Sequence, residues 1–537
     1  MRAKTISSSP HQGARKTLTS AACAAVLAGS LTALVPAAAS AQGIPKLSYS
    51  GTLTMYAANY NPPIKGVKVA PGALTDNTMA TAAAAFEKMY PNIKVQFVAG
   101  SAEIGTGQYY ISESAAGTLP DIDEVPGYYV NVTLPFGIFQ DLLPDFQKPN
   151  PFIPGNKSWI STMNPVALHI DSAPGNTPGT TGVFVVNGDW GGIGFYYNKN
   201  LFKEAGIAAP PTTWNQLQAD STQIVNRLGS KGIYAGASFS PVIYNWFAHY
   251  FQANYLGAAK MKLIFDIPSD LSAGYQSYFY ANDGDWLNPA KNPELTAWWP
   301  LGKELMATWD PKDVDVPENT GPTIPNGQQM FLGQQVAYEF GSGYAIPNQV
   351  AALPKSQQFP VGYFELDSPN AFKGTSPYAT NLEVWQDNGG PETAFQFAVA
   401  SNKSDKSMTP AKTQAALAWL QFISSPKWDS AIVNEEGNAI PIIKGATAPP
   451  ALEPIDKALA AESNAYFPMA LFDSVTSSSF NTIDGLYLEY VDGYISLQKA
   501  VQEYDKDAGQ IIAQFNSTHS QLVANTAKFY NKLLGLK

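Results

Sequence analysis

Side chains that could break bonds are sparse in this chain and poorly spaced for catalysis. Beyond the first 41 residues the histidines are His169, His249 and His519, which fall in no metal-ligand spacing. Neither a Gly-x-Ser-x-Gly elbow nor a phosphate-cradling glycine loop occurs. Asp121, Asp123, Glu124, Asp283, Asp285 and Asp387 offer glycosidase carboxylates, but spacing along the chain does not set the separation such a pair needs. Asn282-Asp283-Gly284-Asp285 puts oxygen ligands on a tight turn, yet the full calcium-loop pattern is absent. No metal and no cofactor is therefore expected. Rings and amides are abundant instead: the chain holds 11 Trp and 27 Tyr, and only 14% of its residues are charged, so Asn, Gln, Ser, Thr and Tyr must cover much of the surface. Aromatic faces suit the apolar side of a pyranose, and amides and carboxylates suit its hydroxyls. That is the chemistry of holding a carbohydrate.

These residues need a frame, and the stretch Gly188–Leu217 supplies its centre. Ile193, Phe195 and Tyr197 alternate with Gly194 and Tyr196 as a strand. Asn198 and Asn200 end it and can cap a short helix over Leu201–Ala205, closed by Gly206. Thr213, three residues before Gln216, has capping-box spacing, and Leu217, Ile224, Val225 and Leu228 predict a helix from Trp214 to Leu228. Earlier, Leu53 and Met55 mark a strand, Met79 to Met89 a helix stopped by Pro91, and Ile93, Val95 and Phe97 a second strand. Strand, helix, strand favours a largely parallel α/β sheet with ligands outside its carboxyl ends. Pro144–Thr181 reads as an insertion ordered by Trp159, Ile160, Met163, Val166 and Leu168. The aromatics of Ile243–Leu256 read mostly as core. Phe395, Phe397 and Val399 predict a return strand, Thr409-Pro410 opens a helix that Ser425-Pro426 ends, and Ile495–Leu534 is expected to be mostly helical.

Tyr197-Asn198-Lys199, Leu201-Phe202, Ala205-Gly206, Pro210-Pro211 and Thr213-Trp214 follow one another as in a known family. The block resembles the extracellular solute-binding proteins of ABC importers, the maltodextrin-binding-like sugar-binding class known as family 1. Leu119-Pro120-Asp121-Ile122, Phe139-Gln140-Asp141-Leu142, Phe331–Ala337 and Gly341–Tyr344 resemble further segments of it, with Tyr344 in place of the usual tryptophan. The resemblance implies an α/β, two-lobed periplasmic-binding-protein fold with discontinuous lobes and a hinge cleft. One lobe would combine 47–183 with 385–425, the other 184–384 with 426–537. It also implies binding of a sugar or oligosaccharide and delivery to an ABC transporter permease, by a monomer that is not an enzyme. The expected ligand residues are Asn59, Tyr60, Asp121 and Tyr129 from the first lobe. Asp189, Trp190, Trp246 and Tyr344 would come from the hinge and second lobe, and Trp385 and Asn388 from the second crossing. A secreted glycoside hydrolase or lyase, or capture of a non-sugar ligand such as a peptide, are the alternatives.

Composition bounds the setting. Residues 1–41 carry Arg2, Lys4, Arg15 and Lys16, an apolar run over Ala21–Val35 and the small-x-small Ala39-Ser40-Ala41, the pattern of a secretory signal peptide cut after Ala41. This predicts a periplasmic or extracellular protein with no integral membrane segment in the mature chain. Cys23 is the single cysteine and lies in that segment, so a mature chain would hold no disulfide and no thiolate site. Without the leading segment, 29 of the 33 basic residues face 43 acids, a formal charge of about −14 with no basic cluster to offset it, so no nucleic acid is expected as a partner.

Overall fold

The computed structural model describes residues 44–67, 76–99, 107–125, 136–170, 172–174, 181–238, 289–309, 326–342, 346–366, 370–379, 389–390, 395–437, 439–449 and 477–518, with isolated positions besides. The expected signal segment and the Asp283/Asp285 turn lie outside them. The strands used below are β1 (Gly51–Met55), β2 (Ile93–Phe97), β3 (Ile122–Glu124), β4 (Val186–Asn187), β5 (Asp189–Asn198), β6 (Tyr234–Ser238), β7 (Val336–Ser342), β8 (Val361–Phe364), β9 (Gly389–Gly390), β10 (Gln396–Val399) and β11 (Ile440–Pro441). These strands form two sheets, in the orders β2-β1-β3-β10-β4 and β8-β5-β7-β6, and among the described residues Ser172–Pro174 and Thr181–Val183 pair separately.

The first sheet is parallel through β2, β1 and β3, and β10 joins it antiparallel to both β3 and β4. Leu53, Met55, Ile93 and Ile122 face a core closed by α1 (Asn77–Met89) through Met79, Ala82 and Phe86. Asp76 caps α1, its carboxylate accepting the Met79 N–H at 2.9 Å. The helix α2 (Gly107–Ala116) leads into β3. The insertion after Pro144 is ordered by Trp159, which is fully buried, stacked on Phe146 at 4.3 Å and donating its Nε1 proton to Ser424 Oγ.

The second sheet is centred on β5, paired antiparallel with β7 and β8 so that Phe195 lies opposite Phe340 and Phe364. Local rules govern the chain beyond β5. Asn198 caps α3 (Lys199–Ala205), accepting from Asn200 and Leu201, and Gly206 turns left-handed at φ 84°. Thr213 caps α4 (Trp214–Leu228) through the Gln216 N–H; the Gln216 side chain reaches back to Thr212, one residue earlier than a capping box would place it. Around this frame Trp214, Phe251, Trp298 and the first residue of α5 (Trp299–Met306) form an aromatic core. Phe251 stacks on Trp298 at 5.2 Å, so the aromatics described within 243–256 are core, as expected.

The chain departs from the sequence expectation in three places. Val183–Val186 packs in the first core, and β4 pairs with β10 rather than entering the second sheet. Ser425-Pro426 ends α6 (Pro410–Ile423) and at once starts α7 (Pro426–Glu436), whose Ile432 and Val433 also join the first core instead of the second. Proline fits the first turn of a helix as readily as it stops one, so the dipeptide marks both events. Last, Leu497–Thr518 forms the expected helix, but Ser477–Asp492 forms another before it, and both dock on the second core through Tyr487 and Tyr504 against Trp299.

Candidate functional site

The parallel part of the first sheet ends at Met55 and Glu124, and ligands of open α/β sheets sit outside such ends. Tyr56 laces the two ends together: its N–H reaches Ile122 O at 3.0 Å, and its carbonyl accepts the Glu124 N–H at 3.1 Å. Its phenol is partly buried, and burial, then Glu124 and Asp123, push its pKa far up, so it stays a hydroxyl donor. The chain then turns through Ala58–Tyr60, held by Asn61, whose amide accepts from Ala57 N and donates to Val98 O. That turn leaves Asn59 half-buried at the rim. On β3, Asp123 is fully buried, and burial drives its carboxyl well above the usual range, opposed by one backbone hydrogen bond and reinforced, least, by Glu113.

Beside this rim three stretches of chain cross from one sheet toward the other. β4 runs into β5 through Gly188, β9 precedes β10, and α7 leads to β11, which pairs with the first residues of β5. Gly188 N–H bonds Phe395 O at 3.0 Å, and Ile442 N–H bonds Gly188 O at 2.9 Å. Asp189, fully buried, accepts the Tyr60 hydroxyl at 2.7 Å and the Phe395 N–H at 2.9 Å on the same oxygen. Burial, then Asp189, Glu436 and Asp429, raise the Tyr60 pKa well above its ordinary value, so this phenol is a donor at any physiological pH. Trp190, the next residue, is 2% exposed and lies opposite Ile440.

The structure therefore brings Asn59, Tyr60, Asp189 and Trp190 to one region and leaves Asp121 out of it. Asp121 precedes the amino end of β3, where it accepts the Thr54 N–H at 2.8 Å and pairs with Lys412 at 2.6 Å. Both its oxygens are spent inside the lobe. Tyr60 is wholly buried with its hydroxyl on Asp189 and its ring edge against Phe395, which makes it a tie between segments rather than an open platform. Tyr129, Trp246, Tyr344, Trp385 and Asn388 lie outside the described residues. Sequence reasoning leaves Tyr56 out of the expected ligand set and names Glu124 only as a possible glycosidase carboxylate, although strand-end position marks both. It also misses Asp429 and Glu436 on α7, which share the i, i+3, i+4, i+7 stripe of Ile432 and Val433; two acids on an apolar stripe are a legible signal. Among the described residues no group of three or more His, Cys, Asp or Glu is placed to hold a metal ion, and no helix is long and apolar enough to cross a membrane.

The family model for the bacterial extracellular solute-binding protein matches residues 72–429. The chain belongs to that family. No curated protein matches it at a significant level. Among solved structures it is similar to a chitin oligosaccharide binding protein at 20% identity and TM-score 0.58, covering 86% of this chain and 99% of that one. The GacH receptor of Streptomyces glaucescens, solved unliganded and with acarbose, matches at 14% identity and TM-score 0.54, over 89% and 99% of the two chains. A family 1 extracellular solute-binding protein from Bifidobacterium longum subsp. infantis matches at 16% identity and TM-score 0.53, over 85% and 98%. At these identities the likeness is one of fold: an α/β solute-binding protein with two lobes, of a family that works outside the cytoplasm. Binding solutes is the family's work, so the glycoside hydrolase or lyase reading falls away.

Proposed function

We propose that this solute-binding protein captures a sugar or short oligosaccharide and delivers it to an ABC permease. The observation that carries the reading is that a phenol, Tyr56, and an amide, Asn59, each partly buried, both follow the carboxyl end of β1, beside three chain crossings. A ring and an amide there suit a pyranose face and its hydroxyls. The saccharide-binding proteins of the same fold, among them the chitin oligosaccharide binding protein, support that substrate class. In this reading the crossings are the hinge, and closure traps the ligand because both lobes touch it only when closed. Trp190, and beyond the described residues Tyr129, Trp246, Tyr344, Trp385 and Asn388, complete the proposed contact set, and the protein works as a monomer.

A thermal-shift screen over neutral mono- and oligosaccharides, with peptides and inorganic anions as controls, tests the substrate class. A saccharide at about a hundred times its Kd stabilises the protein by about 2.7 kcal/mol. Chromatography must return that saccharide unchanged after long incubation. A shift with peptides alone overturns the sugar reading. Uptake of the saccharide that persists in cells lacking this protein overturns delivery.

A further inference from the structure

Asp429 stands apart from the ligand rim and has no counterpart in the proposed contact set. It lies in the first turn of α7 with no exposed surface. One oxygen accepts the Ile443 N–H at 3.2 Å, just beyond β11. The other is pressed on Gly188: a Cβ built there would fall 2.5 Å from Asp429 Oδ1 and 2.6 Å from Phe395 Cδ1. The same glycine bonds Phe395 and Ile442, and its neighbour Asp189 bonds Tyr60 and Phe395. Thus two carboxyl side chains and one glycine tie α7, the start of β5, the start of β10 and the segment after β11 into a single knot.

Among the described residues, the charged groups named against Asp429 share one sign. From β5 it faces Asp189; Glu436 lies on its own helix; the Ala58–Tyr60 turn contributes the Tyr60 phenol; from the segment after β11 it meets a backbone N–H, with Lys444 exposed to solvent. Burial first, and Asp189 after the opposing Ile443 hydrogen bond, hold the Asp429 carboxyl well above the ordinary range. A neutral acid can touch Gly188 beside Asp189, whereas an ionised one adds like charge in a water-excluded place.

We propose that Asp429 is a positioning residue that makes the rigidity of the lobe crossings depend on its proton. Neutral, it lets the segments close on Gly188; ionised, it pushes α7 from β5 and loosens all three crossings. The inference rests on reading those crossings as the hinge, but its test uses no sugar, so it stands or falls separately from the substrate class. Amide hydrogen exchange on the ligand-free secreted chain, corrected for base catalysis, reads it at Phe395, Ile442 and Ile443. Protection there should fall at least about tenfold as pH is raised from the acid side of the folded range to its alkaline limit, because a raised folded pKa means the contribution is lost as pH rises, while α4 amides hold theirs. Asp429→Asn, neutral at every pH, should keep its protection across that range. Tyr60→Phe removes one bond to Asp189 and leaves Asp429 intact, so it should lower protection but preserve the pH dependence. A flat wild-type profile overturns the proposal even if Asp429→Asn fails to fold, and so does an Asp429→Asn profile as steep as wild type.

Discussion

Replacing Trp190 separates packing from recognition at the crossings. The indole is 2% exposed on β5, at the register position opposite Ile440 of β11, so Trp190→Ala should cost the ligand-free protein about 3–5 kcal/mol. For a lobe of this size each kcal/mol moves Tm by about 2–4 °C, and the expected fall is roughly 10 °C. The indole Nε1 is buried with no acceptor among the described residues. Trp190→Phe gives up no internal hydrogen bond, and its cost should stay under about 2 kcal/mol. If the ring serves the ligand as well, both variants bind the saccharide at least about tenfold more weakly, which is about 1.4 kcal/mol. Calorimetric melts without ligand and titrations with it read the two effects independently. An unchanged Tm in Trp190→Ala refutes the packing argument. An unchanged Kd in both variants removes Trp190 from the proposed contact set.

Gly188→Ala should lower Tm by the equivalent of about 1–3 kcal/mol, because its methyl group would overlap Asp429 and Phe395; thermal melts check it, and a neutral result contradicts the close approach. Lys412→Met should cost about 3 kcal/mol by leaving the buried Asp121 carboxylate without its cation, read as a shift in denaturant midpoint, and Asp121→Asn in the same chain should recover much of it. Asp76, buried beside Glu435, has its carboxyl pushed up to about 8. A raised folded pKa means the contribution is full below the unfolded value of 3.8 and is lost as pH rises through about 8, so Tm should fall over that window and fall less in Asp76→Asn.

Local grammar is legible in the sequence. The caps at Asn198, Thr213 and Thr409, the left-handed Gly206 and the alternation in β1 and β2 each depend on neighbours within a few residues, and the structure obeys them. The hidden features depend on distant partners. Tyr60 reads as a cleft aromatic until Asp189 and Phe395 cover it from far along the chain. Asp121 reads as a ligand carboxylate until Lys412 arrives on α6. The expected boundary after residue 425 separates α7 from the first core that its Ile432 and Val433 join, because that packing depends on partners far upstream in the chain.

Isothermal titration of the secreted chain with neutral saccharides of increasing length tests the central claim most directly. The account predicts saturable binding of one saccharide per chain, with a negative heat-capacity change from burial between the lobes. Absence of heat with every saccharide, together with tight one-to-one binding of a peptide, would contradict it.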